Sequence, residues 1–386
     1  MPVINRIAEF AEDMQMWRRW FHAHPELKLD CHETASFVVE MLKAFGVDEI
    51  HEGIATSGVV GIIEGQGEGP TIGLRADMDA LPMQEETDLA YASEVPGRMH
   101  ACGHDGHTTM LLGAARYLAE TRRFSGRVAL IFQPAEEDIG GGRIMVEEGM
   151  MERFGIDEVY ALHNDPGVAE GAFSTCPGPI MGAVDTFRIQ ISGKGGHGAY
   201  PHEAIDPIPP ALAMAQACQT IVSRNHNPRQ DLVVSVTMVQ SGSADNVIPA
   251  GAFVGGTVRT FEPEVRDMVE RRMGEIVAGV AAAYGVTAEL DYERGYPPTV
   301  NHAAQVEAAA AVAREVAGEA GVETDRNREM GAEDFSYMLE ARPGAFLFLG
   351  QGGGPGVHHP EYDFNDAIAP VGASCFARLV ESRNPL

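Results

Sequence analysis

Residues 127–137 read RVALIFQPAEE. The run 127–132 is almost wholly apolar and of strand length, typical of a buried parallel strand with both faces covered. Just past it stand two adjacent glutamates, Glu136 and Glu137. In an open α/β sheet, ligands gather at the carboxyl ends of strands, so a strand that runs into carboxylates marks a site as well as a sheet. The flanking sequence supplies the rest of that sheet. Residues 58–63 and 71–74 are β-rich. A helix is expected over about 108–120, with Leu111, Leu112, Ala115 and Leu118 on one side. A glycine turn at 140–142 leads to another helix, and 159–162 reads as one more strand. This alternation argues for a three-layer α/β domain.

The N-terminal stretch MPVINRIAEFAEDMQMWRRWF has acidic residues early and no basic-then-apolar layout. It reads as one amphipathic helix (Ile7, Phe10, Met14, Trp17, Phe21) rather than a signal peptide. A second helix is expected over 33–45, stopped by Gly46. From about Asp185 the texture changes. Residues 186–192 alternate like a half-exposed strand and run into GKGGHG. Then follow a helix over 208–224, with Pro209 and Pro210 tolerated in its first turn, strands over 232–240 and 252–260, and a helix over 264–284. This βαββα order suits a small α+β sandwich of ferredoxin-like type. The last part returns to a helix (303–320) and a strand (345–349). The reading is one domain, 1–184 plus 296–386, interrupted by a second at 185–295.

The chain has 386 residues, 45% hydrophobic and 22% charged, ordinary values for a soluble globular protein with room for two domains. Its formal charge of −28 argues against nucleic acid or an anionic membrane as partner. Lysine occurs only at Lys28, Lys43 and Lys194. An acidic surface of this kind suits either a salt-rich habitat or simply a soluble acidic enzyme. No apolar run approaches the roughly 20 residues that span a bilayer. Five scattered cysteines without paired spacing fit a reducing compartment, so a cytoplasmic location is expected.

Four places near predicted strand ends carry metal-ligand residue types. MHACGHDGH (99–107) sets Cys102 and His104 two apart on a loop before a helix. QPAEE carries Glu136 and Glu137, His163 follows the strand VYAL, and VHHP places His358 and His359 after the strand FLFL. Each has a plain alternative: a cysteine as small core hydrophobe, a hydrogen-bonded structural histidine, or acidic residues favoured by a helix N-terminus. Their joint placement after successive strands of one sheet is the signal.

These motifs resemble the M20 metallopeptidase family, in particular its branch of N-acyl-amino acid amidohydrolases, which includes hippurate hydrolases, aminoacylase-like enzymes and hydrolases of indole-acetyl amino acids. The resemblance covers nearly the whole chain: HAHPEL around His24, LRADMDALP, MHACGHDGH, QPAEE, LHNDP, GKGGHGAYPH, DNVIP, GTVRTF, GAEDFS and HHPEYDFND. It implies that Cys102, His104, Glu137, His163 and His358 hold two divalent transition-metal ions per subunit (zinc, manganese, cobalt or nickel). Glu136 would be the general base that takes a proton from the attacking water and passes it to the leaving amine. Five donors exceed the three usual at one catalytic ion but suit a pair, with the Cys102 sulfur as natural bridge. Its thiolate favours a borderline or soft ion.

Asp79 is expected to orient a histidine ligand, with Asp77 and Asp105 as further candidates for that role; turn or cap chemistry is the alternative for all three. His197 resembles the family histidine that stabilises the developing oxyanion, often in a partner subunit's site. Asn246 and Arg259 would bind the substrate carboxylate, although an ion-paired surface role is open for Arg259. Gly198 stands where alanine is usual and would loosen that loop. His24, His107, His202 and His359 are read as structural or supporting. Many M20 peptidases begin their metal set with HxD; here Ala76, Asp77, Met78 and Asp79 occupy that place, which favours the amidohydrolase branch over dipeptidases and carboxypeptidases. The inserted domain would act as lid and dimerisation element, making a homodimer or higher homo-oligomer. The expected activity is hydrolysis of a small N-acyl-amino acid. A metallo-dipeptidase or carboxypeptidase, or a non-catalytic metal-dependent binding protein on the same scaffold, are the competing readings.

Overall fold

The structure, a computed structural model, describes residues 3–386; Met1 and Pro2 of the N-terminal stretch lie outside the described residues. The chain divides into two compact units, one made of Met1–Ile180, Thr299–Asn327 and Asp334–Leu386, the other of Met181–Pro298 with Arg328–Glu333.

The first unit is built on an eight-stranded sheet, in the order Glu49–Ile54, Gly58–Glu64, Arg127–Gln133, Thr71–Asp77, Glu158–Asp165, Gly344–Gly350, Phe173–Ser174, Val322–Glu323. The four strands Arg127–Gln133, Thr71–Asp77, Glu158–Asp165 and Gly344–Gly350 are mutually parallel. Val128 to Phe132 are all fully buried, as the apolar run requires. One core joins the sheet to helices Ala11–Ala23, His32–Phe45, His104–Thr121, Ala303–Ala317 and Ala369–Arg383 through Phe21, Val38, Leu112, Val312 and Phe376. Each such side chain contributes about 1.5–3 kcal/mol by leaving water.

The N-terminal stretch departs from the single helix expected. It forms two, Asn5–Ala8 and Ala11–Ala23. Phe10 N–H donates to Ile7 O at 2.9 Å, a tighter i→i−3 turn, and Ile7, Phe10 and Met14 still reach the core. Gly46 closes the next helix in the left-handed region, φ +77°. The helix expected over 108–120 begins earlier, at His104, and the one over 303–320 stops at Ala317, where Gly318 has φ +81°.

The second unit is a four-stranded antiparallel sheet in the order Leu232–Ser241, Gly251–Thr260, Ala183–Ser192, Thr287–Arg294. Phe187, Ile189 and Ile191 point inward, to a core shared with helices Ile208–Arg224 and Pro263–Tyr284. The last strand was not anticipated. Its residues, TAELDYER, lie on an edge and are mostly exposed or half-buried, so charge rather than apolar alternation dominates its sequence.

Candidate metal centre

The candidate donors come together at the carboxyl ends of the parallel strands. Cys102 and His104 flank Gly103 at the start of helix His104–Thr121; Glu137 follows strand Arg127–Gln133; His163 lies inside strand Glu158–Asp165 rather than after it; His358 sits on the loop after Gly344–Gly350. Donor atoms of Cys102, His104 and His163 lie within 4.8 Å of one another, as do those of Cys102, Glu137 and His358. Cys102 is common to both sets. Its Sγ is 3.5 Å from His163 Nε2, and Glu137 Oε1 is 3.3 Å from His358 Nε2.

Two left-handed residues shape the site. Ala135 (φ 58°) turns the chain so that consecutive glutamates reach the centre, and His358 itself has φ 64°. The Asp79 carboxylate accepts the Glu136 and Glu137 backbone N–H groups at 2.9 and 3.1 Å. Asp79 thus holds the glutamate turn through its side chain, and orients His104 through its backbone carbonyl, which accepts from Nδ1 at 2.8 Å. His163 Nδ1 donates to Asn164 O at 2.7 Å. Both imidazoles therefore turn Nε2 toward the centre. Glu136 is buried, 7% exposed, and shares a donor group with His104 and Glu137.

The electrostatics call for cations. Burial, then the carboxylates of Glu137, Glu136 and Asp77, pushes the Cys102 thiol well above its ordinary pKa. Burial lowers the His104 pKa, but Asp77, Asp79 and Glu137 outweigh it and raise it to about 10. Burial and the neighbouring His107 hold His163 well below the ordinary histidine value, hence neutral. His104 Nε2 is buried without a hydrogen-bond partner, a rare condition in a folded interior unless a ligand completes it, and Glu137 Oε1 faces only imidazole nitrogens, His358 Nε2 at 3.3 Å and His104 Nε2 at 3.9 Å. A thiol, three imidazoles and a carboxylate with such atoms unsatisfied fit a pair of borderline divalent ions.

The other aspartates differ from expectation. The Asp77 carboxylate lies 2.6 Å from His107 Nδ1 and accepts from Arg75 at 2.6 Å, so it fastens a supporting histidine; it is 3.7 Å from His104 Nε2. Asp105 points away from the donors altogether, to His22 Nδ1 at 2.8 Å. His100, inside the same motif, is fully buried with neither ring nitrogen hydrogen-bonded, and burial lowers its pKa to about 4. His24 Nδ1 donates to Trp20 O, and His359 and His202 are exposed.

In the second unit, His197 and Val247 are paired across two short strands, which sets Asn246 beside the histidine loop. Gly198 is packed tightly rather than loosened: a Cβ there would lie 3.0 Å from Asn246 O. His197 is exposed and its Nδ1 accepts from Ala199 N–H. Arg259 forms no ion pair among the described residues; Nη1 donates to Thr257 Oγ1 and Val258 O, and burial lowers its pKa. The ion-paired reading of Arg259 is therefore set aside.

Parallel strands presenting two donor sets joined at one cysteine, with the Glu136 carboxylate beside them, have the layout of a binuclear metallohydrolase. Residues 73–382 match peptidase family M20/M25/M40, and the chain belongs to that family. It is 43% identical over 371 residues to N-acetyl-L-cysteine deacetylase of Bacillus subtilis (strain 168), covering 96% of this chain and 87% of the relative. It is 39% identical over 379 residues to hippurate hydrolase of Campylobacter jejuni, covering 98% of each. Its fold is similar to that of the YxeP protein of Bacillus subtilis, a dinuclear metal-binding peptidase of the M20 family, with TM-score 0.84, 36% identity and 97% and 98% of the two chains covered.

Proposed function

We propose that this chain hydrolyses the amide bond of small N-acyl-amino acids, releasing a carboxylic acid and a free amino acid, with Glu136 as general base. The observation that carries the reading is Cys102 shared by two donor sets with Glu136 beside them. Divalent cations held by Cys102, His104, Glu137, His163 and His358 would polarise the amide carbonyl and acidify the attacking water. Glu136 takes the proton from that water and delivers it to the departing amine nitrogen. Asp79 holds the turn that carries both glutamates by accepting from both of their backbone N–H groups. His197 would donate to the developing oxyanion, and Asn246 and Arg259 would take the substrate carboxylate.

We assign the first unit as catalytic and the second as lid and dimerisation domain, so that residues 181–184, 296–298 and 328–333 go with the second unit rather than with the 1–184 and 296–386 expected from sequence, and place the enzyme in the cytoplasm as a homodimer or higher homo-oligomer. In support, all five cysteines are free. No helix of the described residues is long and apolar enough to cross a membrane. The sheet edge Leu232–Ser241 exposes Met238 and Val239. Sedimentation analysis checks the assembly.

The deciding experiment assays acetyl-, benzoyl-, long-acyl- and indole-acetyl-amino acids beside dipeptides, after supplementation with zinc, manganese, cobalt or nickel. Turnover of acyl-amino acids that disappears on chelation and returns with metal is expected. Preference for dipeptides would make the enzyme a peptidase on the same machinery, and no turnover with both cations bound would make it a binding protein.

A further inference from the structure

Asn164 directly follows the donor His163 and is 1% exposed, and Tyr362, four positions past the donor His358, is fully buried. Asn164 Nδ2 donates to Tyr362 Oη at 2.7 Å and to Gln351 Oε1 at 3.2 Å, and Tyr362 Oη donates to Gln351 Oε1 at 3.1 Å. His107 Nε2 lies against the same asparagine, 2.7 Å from Oδ1 and 3.1 Å from the backbone nitrogen, and its protonation decides which of the two it bonds. The peptide between Cys102 and His104 rests on this pair. Gly103 has φ +98°, and a Cβ there would lie 2.1 Å from Asn164 Oδ1 and 2.7 Å from Tyr362 Oη.

The loop bearing His358 needs such an anchor. It contains Gly352, Gly353 and Gly354, all at positive φ, and glycine lends a chain little stiffness. It is fastened where His358 N–H donates to Ala101 O at 2.6 Å and Tyr362 N–H to His359 O at 2.9 Å. One buried hydrogen bond thus ties the strand of His163 to the loop of His358, and the turn of Cys102 and His104 packs directly against it through Gly103. We propose that Asn164 and Tyr362 are positioning residues that set the spacing of the metal donors, an inference that rests on the two-cation reading of the centre.

The test strips the full-length chain of metal, reloads it with Co²⁺, and follows stoichiometry, affinity and the visible thiolate-to-cobalt and d–d bands. Wild type takes up two cobalt ions. Asn164→Ala is expected to weaken cobalt binding by about 10–100-fold, the range for residues that support metal ligands, and to shift the bands at saturating cobalt. Tyr362→Phe keeps the ring and removes only the hydroxyl; it shifts the bands in the same direction by less, and decides the matter alone if Asn164→Ala does not fold. Wild-type affinity and bands in the folded variants, with only a lower melting temperature, would reduce the pair to a fold-stabilising contact and overturn the proposal. Fewer than two cobalt ions in wild type would sink the centre itself, and the proposal with it.

Discussion

Two buried charged clusters share the first turn of helix His104–Thr121, and they are built on opposite terms. His104 faces the donor centre; Asp105, the next residue, faces Arg18 and His22. In the second cluster the chain supplies its own cations. Arg18 reaches Asp366 at 2.6 Å and Asp363 at 2.8 Å, and lies 4.6 Å over the Tyr91 ring. His22 sits between Asp105 at 2.8 Å and Glu85 at 3.3 Å. In the donor centre, carboxylates and a cysteine converge on His104 Nε2, which has no hydrogen bond; Arg18 Nη2 lacks one too, but the other nitrogens of that guanidinium are paired with Asp363 and Asp366. Burying charge is costly unless it is compensated. One cluster meets that cost internally and reads as structure; the other leaves the compensation to a ligand and reads as a site.

The largest effect that sharpens the contrast is chemical. Glu136→Gln should lower turnover by about 10²–10⁴-fold, the usual worth of a positioned proton acceptor, with metal content unchanged by elemental analysis. Retention of most activity would remove Glu136 from the mechanism. In the self-compensated cluster, Arg18→Met should cost about 1.5–3 kcal/mol in urea unfolding, because it removes the charged partner of Asp363 and Asp366 and weakens the field at buried Asp105, yet leave two metals bound. Loss of a metal in that variant would show that the clusters are not separate.

The smallest effect depends on pH. Burial lowers the His22 pKa, but hydrogen bonds to Asp105 and Glu85 override it and raise it to about 9. A folded-state pKa above the unfolded value of about 6.5 stabilises fully below that value, and the gain is lost as pH rises through about 9. Wild type should therefore lose up to about 3 kcal/mol of stability between pH 6.5 and 9 from this group. His22→Gln should flatten that slope in melts across the range; an unchanged slope would mean that His22 is neutral throughout.

Much of the first unit was legible because its signals are local. The run 127–132 became strand Arg127–Gln133, and helix Ile208–Arg224 in the second unit took the limits its pattern set. The five candidate donors meet because the parallel strands of one sheet bring their carboxyl ends, and the loops and helix start beyond them, to one place. The edge strand Thr287–Arg294 was hidden by its charged, solvent-facing residues, and the break near Phe10 by an apolar spacing that fits one helix or two.

What the sequence determined by itself was the alternation of elements, the family, and the residue types able to bind metal and move a proton. These are written in short-range patterns, since strand length, helix period and motif spacing act within a few residues. Only the tertiary structure decided that Asp105 serves His22 rather than a donor, that Asp79 grips the glutamate turn, and that Asn164 meets Tyr362 from 198 positions away. Such partners are chosen by which buried polar atoms remain to be satisfied once the sheet has closed, and that depends on packing in space rather than on order along the chain.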